Sequence, residues 1–140
     1  MKSATEYLEC SGYSRRGLIE QLHECDGYDV SDATIAVDSL NIEWKKQAVK
    51  SATEYLECSG YSRKGLIEQL HECDGYDVSE ATIAVDSLNI EWKKQAVKSA
   101  KEYIECSGYS CKGLIEQLHK GDGYTLSEAT YGAEQAGACS

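Results

Sequence analysis

The side chains in this sequence with the clearest capacity for chemistry are seven cysteines and three histidines. Cys10, Cys25, Cys58, Cys73 and Cys106 recur at fixed intervals, whereas Cys111 and Cys139 occur only near the end. His23-Glu24-Cys25 and His71-Glu72-Cys73 place a histidine two residues before a cysteine, which invites a zinc or nucleophile–base reading. A structural zinc site takes four ligands in recognisable pairs. Here each repeat offers one histidine and few cysteines, and Gly121 replaces the cysteine in the last repeat. Helix positions i and i+2 face apart, and no third group recurs to orient a base, so a cysteine enzyme is not expected either. Asp74-Gly75-Tyr76-Asp77-Val78-Ser79-Glu80 lacks the glycine and distal glutamate of a calcium loop. These residues read as a turn followed by a helix cap. Catalytic, metal and cofactor sites are therefore all expected to be absent, and the cysteines are expected to serve disulfides. Seven in 140 residues is a density that suggests an oxidising compartment.

The elements that position these residues repeat. Residues 2–49 and 50–97 differ only at Arg16 against Lys64 and Asp32 against Glu80. Residues 98–140 follow the same 48-residue template and diverge after Tyr124. Such a period points to a solenoid-like array in which neighbouring copies share a core. The expected organisation is repeat 1 over 1–40, lacking the start of its first helix, repeat 2 over 41–88, and repeat 3 over 89–140 with a divergent end.

In the middle copy, Asn41 is expected to cap a helix running to about Glu57, with Trp44, Ala48, Ala52 and Tyr55 as its apolar stripe. Ser59-Gly60 stops it. Ser62 then caps a second helix to about Glu72, with Tyr61 and Leu66 placed as a hydrophobic staple. Asp74-Gly75 makes a turn. Ser79 is expected to cap a third helix to about Leu88, with Val78 and Ile83 as a second staple. The fold class is all-α, a tandem array of three small three-helix, helix-turn-helix-like repeats. With no phenylalanine and ten tyrosines, the core must use tyrosine rings, whose hydroxyls need partners when buried.

The net charge of −10 repels phosphate backbones and acidic leaflets, which excludes nucleic acid as a partner. The third helix carries Glu80, Thr82 and Asp86 rather than the basic and amide side chains of a recognition helix. No apolar run approaches the ~20 residues that span a bilayer. The first residues lack the pattern of a signal peptide.

Within one repeat, Cys58 and Cys73 should lie ~15 Å apart at opposite helix ends, against a Cα separation of at most ~7 Å in a disulfide. Pairing across copies fits better, Cys25 with Cys58 and Cys73 with Cys106. Cys10, Cys111 and Cys139 are then left at the ends, either to link chains head to tail or, for Cys111 and Cys139, to close the last repeat. The near-matching phase of the two ends supports an array that continues from chain to chain, a contact that builds filaments when it does not close.

The segments Tyr61–Leu70, Ala84–Trp92, Gln95–Ala100 and Ala129–Gly132 resemble the Ltp family of host-cell-surface-exposed lipoprotein repeats, and the resemblance covers nearly the whole chain. It implies small helix-turn-helix-type bundles outside the cell that exclude superinfecting phage by blocking DNA injection, with a phage tail protein as partner. The chain departs from that pattern in three ways. Cys10 follows Tyr7-Leu8-Glu9, which is not a lipid-acceptor motif. Tyr13, Tyr61 and Tyr109 stand where the family usually has phenylalanine, and the cysteines are additional. The expected function is a non-enzymatic, cell-surface protein acting through protein–protein contacts. The alternative is a disulfide-linked extracellular filament subunit whose partner is itself.

Overall fold

The structure is a computed structural model that describes residues 4–139. Among the described residues every regular element is helical. Helices α1 (Ala4–Cys10), α2 (Arg15–Glu24) and α3 (Val30–Asp38) come from the first copy. The second supplies α4 (Trp44–Cys58), α5 (Arg63–Glu68) and α6 (Val78–Ser87), and the third α7 (Trp92–Cys106), α8 (Cys111–Glu116) and α9 (Leu126–Gln135). In the last two copies the second helix ends in a wider π turn, Gln69–Cys73 and Gln117–Gly121.

Local chemistry explains most boundaries. The hydroxyls of Ser14, Ser62 and Ser110 accept the backbone N–H of Gly17, Gly65 and Gly113 at 2.9–3.0 Å, the expected serine cap at the start of each second helix. Two other expected caps shift. The first helix of the middle copy starts at Trp44, not beside Asn41, because Asn41 adopts φ +50° and Asn89 φ +51°. That left-handed residue terminates the preceding third helix, a role that asparagine and glycine share. Gly137, at the same position of the third copy, has φ +92°. The third helix starts at Val78, one residue before the expected Ser79 cap. Asp77 caps it instead, in a reciprocal box with Glu80 that Thr125 and Glu128 repeat in the last copy. The second expected staple also does not form: Val78 and Ile83 are 53% and 48% exposed.

The described residues divide into two compact units, 4–54 with 67–88, and 55–66 with 89–139. In the first, Ala4, Tyr7, Leu18, Leu22, Ala33 and Val37 form a buried cluster flanked by Tyr13, Tyr28, Ile42 and Trp44. In the second, Ala96, Ala100, Leu114, Leu118, Tyr124, Ala129 and Ala133 do so. Small residues let the helices approach closely. A Cβ at Gly132 in α9 would lie 2.7 Å from the Ala96 carbonyl carbon of α7.

The buried tyrosines carry the hydroxyl partners that the composition demands. Tyr76 and Tyr124, each 1% exposed, hydrogen-bond the buried Ser51 and Ser99 hydroxyls at 2.8 and 2.7 Å. Burial pushes both phenols far above their ordinary value.

Candidate functional site

Each copy contains the loop Ser-Gly-Tyr-Ser between its first and second helices: residues 11–14, 59–62 and 107–110. The loop follows the first helix, and its tyrosine packs edge-to-face on a tyrosine of that helix. Ring centroids are 5.8 Å apart for Tyr7–Tyr13 and Tyr55–Tyr61, and 5.5 Å for Tyr103–Tyr109. This contact fixes the loop so that its polar groups point together rather than into their own helix.

In the first unit those groups meet the middle copy. Ser11 Oγ and the Gly12 N–H donate to the Glu54 carboxylate at 2.8 and 2.9 Å. The Tyr13 N–H donates to Gln47 Oε1 at 3.2 Å, and the Ser14 hydroxyl to the Asp74 carbonyl. In return, Lys50 Nζ donates to the Leu8 carbonyl at 2.6 Å. The second unit repeats the set forty-eight residues on. Ser59 and Gly60 donate to Glu102 at 3.0–3.1 Å, Tyr61 to Gln95 at 3.2 Å and Ser62 to the Asp122 carbonyl. Lys98 Nζ donates to the Leu56 carbonyl at 2.7 Å. Charge-assisted bonds of this kind are stronger than neutral ones, and here one carboxylate gathers two donors.

The fit leaves no room for a side chain at the glycine. A Cβ on Gly12 would stand 2.7 Å from the Ser51 backbone nitrogen, and one on Gly60 2.8 Å from that of Ser99. The third loop is different. A Cβ on Gly108 would meet nothing within 4 Å. Ser107, Gly108 and Ser110 are exposed, whereas Ser14 and Ser62 are each 2% exposed. The π turns follow the same division. They occur where the Asp74 and Asp122 carbonyls accept a serine hydroxyl, and α2 of the first copy stays α-helical to Glu24. Close by, the Tyr103 hydroxyl donates to Asp122 at 2.8 Å. Burial and that carboxylate push its phenol up to about 12.

Cys111 and Cys139 are joined in a disulfide with Cα atoms 4.8 Å apart, the closing arrangement rather than a link between chains. Cys111 occupies the repeat position of Arg15, which in the first copy pairs with Asp38 at 2.8 Å. The disulfide thus shares only one repeat position with that ion pair, since Asp38 corresponds to Glu134 and Cys139 to Glu43. Cys10, Cys25, Cys58, Cys73 and Cys106 are exposed free thiols, so the pairs Cys25–Cys58 and Cys73–Cys106 are not formed. The histidines have a structural task. Nδ1 of His23, His71 and His119 meets the carbonyl of Tyr28, Tyr76 and Tyr124 at 2.6–2.7 Å and closes the turn after the second helix. Among the described residues no three His, Cys, Asp or Glu side chains gather as metal ligands would. A cleft of about 310 Å3 beside the first loop is lined by Glu20, Glu24, Cys73 and Asp74, with no histidine among its lining residues.

The pattern of the host cell surface-exposed lipoprotein family, Lipoprotein_Ltp, matches residues 43–88 and again 91–135. The chain belongs to this family. Its fold is also similar to the solved structure of Ltp, a superinfection exclusion protein from the Streptococcus thermophilus temperate phage TP-J34. The two are 30% identical with a TM-score of 0.61, over 64% of this chain and 92% of that one. Comparison with curated proteins returns no match. The family's description names a surface-exposed lipoprotein and no enzyme class, and no described helix is long and apolar enough to cross a membrane. The sequence marks Ser59-Gly60 as a helix stop, Tyr61 as a staple and Ser62 as a cap, but not the bonds of these loops to the next copy. The repeated Glu54 and Glu102, Gln47 and Gln95, and Lys50 and Lys98 were the available signal.

Two predictions follow from this geometry. Gly12→Ala and Gly60→Ala each force a Cβ against backbone and should cost about 1–3 kcal/mol, lowering the urea midpoint, whereas Gly108→Ala should change it within about 0.5 kcal/mol. Equal effects at all three sites would refute the inter-copy joint. Alkylation with mass detection should label five cysteines before reduction and seven after it. Cys139→Ser should then destabilise the chain by about 3 kcal/mol, the usual yield of closing a loop of this size. A reductant-sensitive dimer, or seven reactive thiols at the outset, would contradict the assignment.

Proposed function

We propose that the chain acts as a non-enzymatic superinfection-exclusion protein on the host cell surface, holding a protein of an incoming phage so that its DNA is not injected. The observation that carries this reading is the family membership, matched twice along the chain, together with the likeness to Ltp. The physical features are consistent with it. A net charge of −10 turns away nucleic acid and anionic lipid and leaves a protein partner as the favoured class. The filament alternative is weakened by the disulfide, which consumes the two thiols at the back of the chain within the chain itself.

The test displays the chain on Streptococcus thermophilus behind an export signal and lipid anchor, then challenges the cells with phages of that host. Adsorption should stay normal while phage DNA uptake and plaque number fall. Uptake equal to that of cells without the protein would reject the reading, and loss of adsorption would point to receptor blocking instead.

A further inference from the structure

The joint between copies has two halves, and the sequence carries each half three times while the internal joints use each only twice. The donor half is the Ser-Gly-Tyr-Ser loop with the basic residue two positions after it. The acceptor half is a carboxylate in the first helix with the Asp-Gly turn after the second. Residues 11–14 meet Glu54 and Asp74, and residues 59–62 meet Glu102 and Asp122. Counting along the repeat leaves over the loop 107–110 of the third copy, and Glu6 with Asp26-Gly27 of the first.

Both leftover halves are open. A Cβ on Gly108 would meet nothing within 4 Å, and Ser107, Gly108, Ser110 and Lys112 are exposed. Ile104 is 37% exposed at the repeat position where Leu8 and Leu56 are partly buried. On the other half, basic side chains cover the turn glycines of the second and third copies. A Cβ on Gly75 would lie 2.6 Å from Arg16 Nε, and one on Gly123 3.1 Å from Lys64 Cβ. One on Gly27 would meet nothing within 4 Å. The turn already has the accepting shape, because Gly27, Gly75 and Gly123 share φ of +79°, +84° and +86°. Glu6 is exposed, whereas Glu54 and Glu102 are partly buried. The helix α2 stays α-helical to Glu24, without the π turn that accompanies a serine on the Asp74 and Asp122 carbonyls.

The disulfide does not fill the third loop. Ala136, Ala138 and Cys139 pack with Tyr109 against the core cluster of the second unit. Ile42 and Trp44, which lead into α4, pack with Tyr13 against that of the first, and Ala138 holds the repeat position of Ile42. The tail thus takes the path of a connection to a next copy, and the bond from Cys139 to Cys111 fastens it there while Gly108 stays uncovered.

We infer that the third loop of one chain docks on the first copy of a second chain, in a non-covalent head-to-tail contact built like the two internal joints. Ser107 and the Gly108 N–H donate to the Glu6 carboxylate, Ser110 donates to the Asp26 carbonyl, and Lys112 lies over Gly27. Lys2 and Ser3 hold the repeat positions of Lys50 and Ser51 and lie outside the described residues. The contact needs no counterpart of Gln47, which would fall before Met1. Two unlike surfaces meet, so a docked pair keeps one free half of each kind. The inference goes beyond the exclusion reading and does not depend on it. Covalent linkage gives the internal halves a roughly millimolar effective concentration. Separate chains lack that, and a net charge of −10 on each opposes their approach. Association is therefore expected at about 0.1–1 mM chain, with the loop open at micromolar concentration.

The test is sedimentation velocity of the full chain at physiological salt, from about 10 µM to 1 mM, with denaturing non-reducing mass detection of the same samples. The mean mass should climb above 15.4 kDa as concentration rises, with no covalent dimer. Gly108→Ala and Glu6→Lys should each keep the urea midpoint of the unaltered chain and stay monomeric. Mixed in equal amounts, the two variants should form a species of twice the monomer mass and nothing larger. The alanine chain keeps an intact acceptor half and the lysine chain an intact donor half. An unaltered chain that is monomeric throughout the range overturns the proposal. So does a Gly108→Ala chain that associates like the unaltered one, a mixture that does not pair, or association carried by intermolecular disulfides. The unaltered chain gives a further readout: raising its concentration should move amide shifts at 104–112 and at Glu6, Asp26 and Gly27, and shifts centred on the third helices would refute the contact.

Discussion

The structure depends on a donor-rich loop that cannot satisfy itself. Ser-Gly-Tyr-Ser follows a helix end, is pinned there by a tyrosine pair, and points two hydroxyls and two amides outward together. Buried donors without acceptors are costly, so the loop needs a carboxylate, an amide oxygen and a carbonyl in fixed places. The first helix and turn of the following copy supply them, and a lysine returns a bond to the end of the preceding helix. Glycine at the second position is what lets backbone meet backbone there. A repeat of this size with a core of alanines, leucines and one buried tyrosine hides little surface alone. Joining copies through polar bonds as well as apolar packing makes their order and spacing specific.

Much of this was legible in sequence, and the failures have physical reasons. The period, the all-helical class, the serine caps and the need of buried tyrosines for partners all follow from residues whose local chemistry is strong. Asn41 misled because asparagine serves both ends of helices: it caps starts, and it also tolerates the left-handed geometry that stops them, which is its use here. Ser79 lost to Asp77 because Asp77 has Glu80 three residues on to complete a reciprocal box. Val78 and Ile83 were read as a staple because apolar residues at that spacing usually pack, and exposure cannot be seen in a pattern of residue types. The joint itself was hidden because its donors and acceptors lie thirty-four to sixty residues apart, beyond any local periodicity. The cysteines were legible as disulfide candidates, but which two meet depends on where the divergent last helix turns back.

Together these features separate two jobs within one repeat. The first and second helices and their loop hold copies together, and the histidines close the turns that carry the accepting carbonyls. The third helix buries its small residues against the core and leaves other apolar positions uncovered. In the last copy the same third helix is followed by a tail that a disulfide fastens to the start of the second helix. The chain belongs to a family described as host cell surface-exposed lipoproteins. Within each unit the loop bonds fix which residues of neighbouring copies meet.

The most direct measurement of the central claim is amide hydrogen exchange at the three equivalent loops. The amides of Gly12, Tyr13, Gly60 and Tyr61 donate to side chains of a neighbouring copy, whereas the third loop, with Gly108 exposed, meets no such acceptor among the described residues. Strong protection at the first four, with exchange at Gly108 and Tyr109 close to that of an open loop, is the result the account predicts. Uniformly fast exchange at all three loops would show that the copies are not joined in this way and would contradict it.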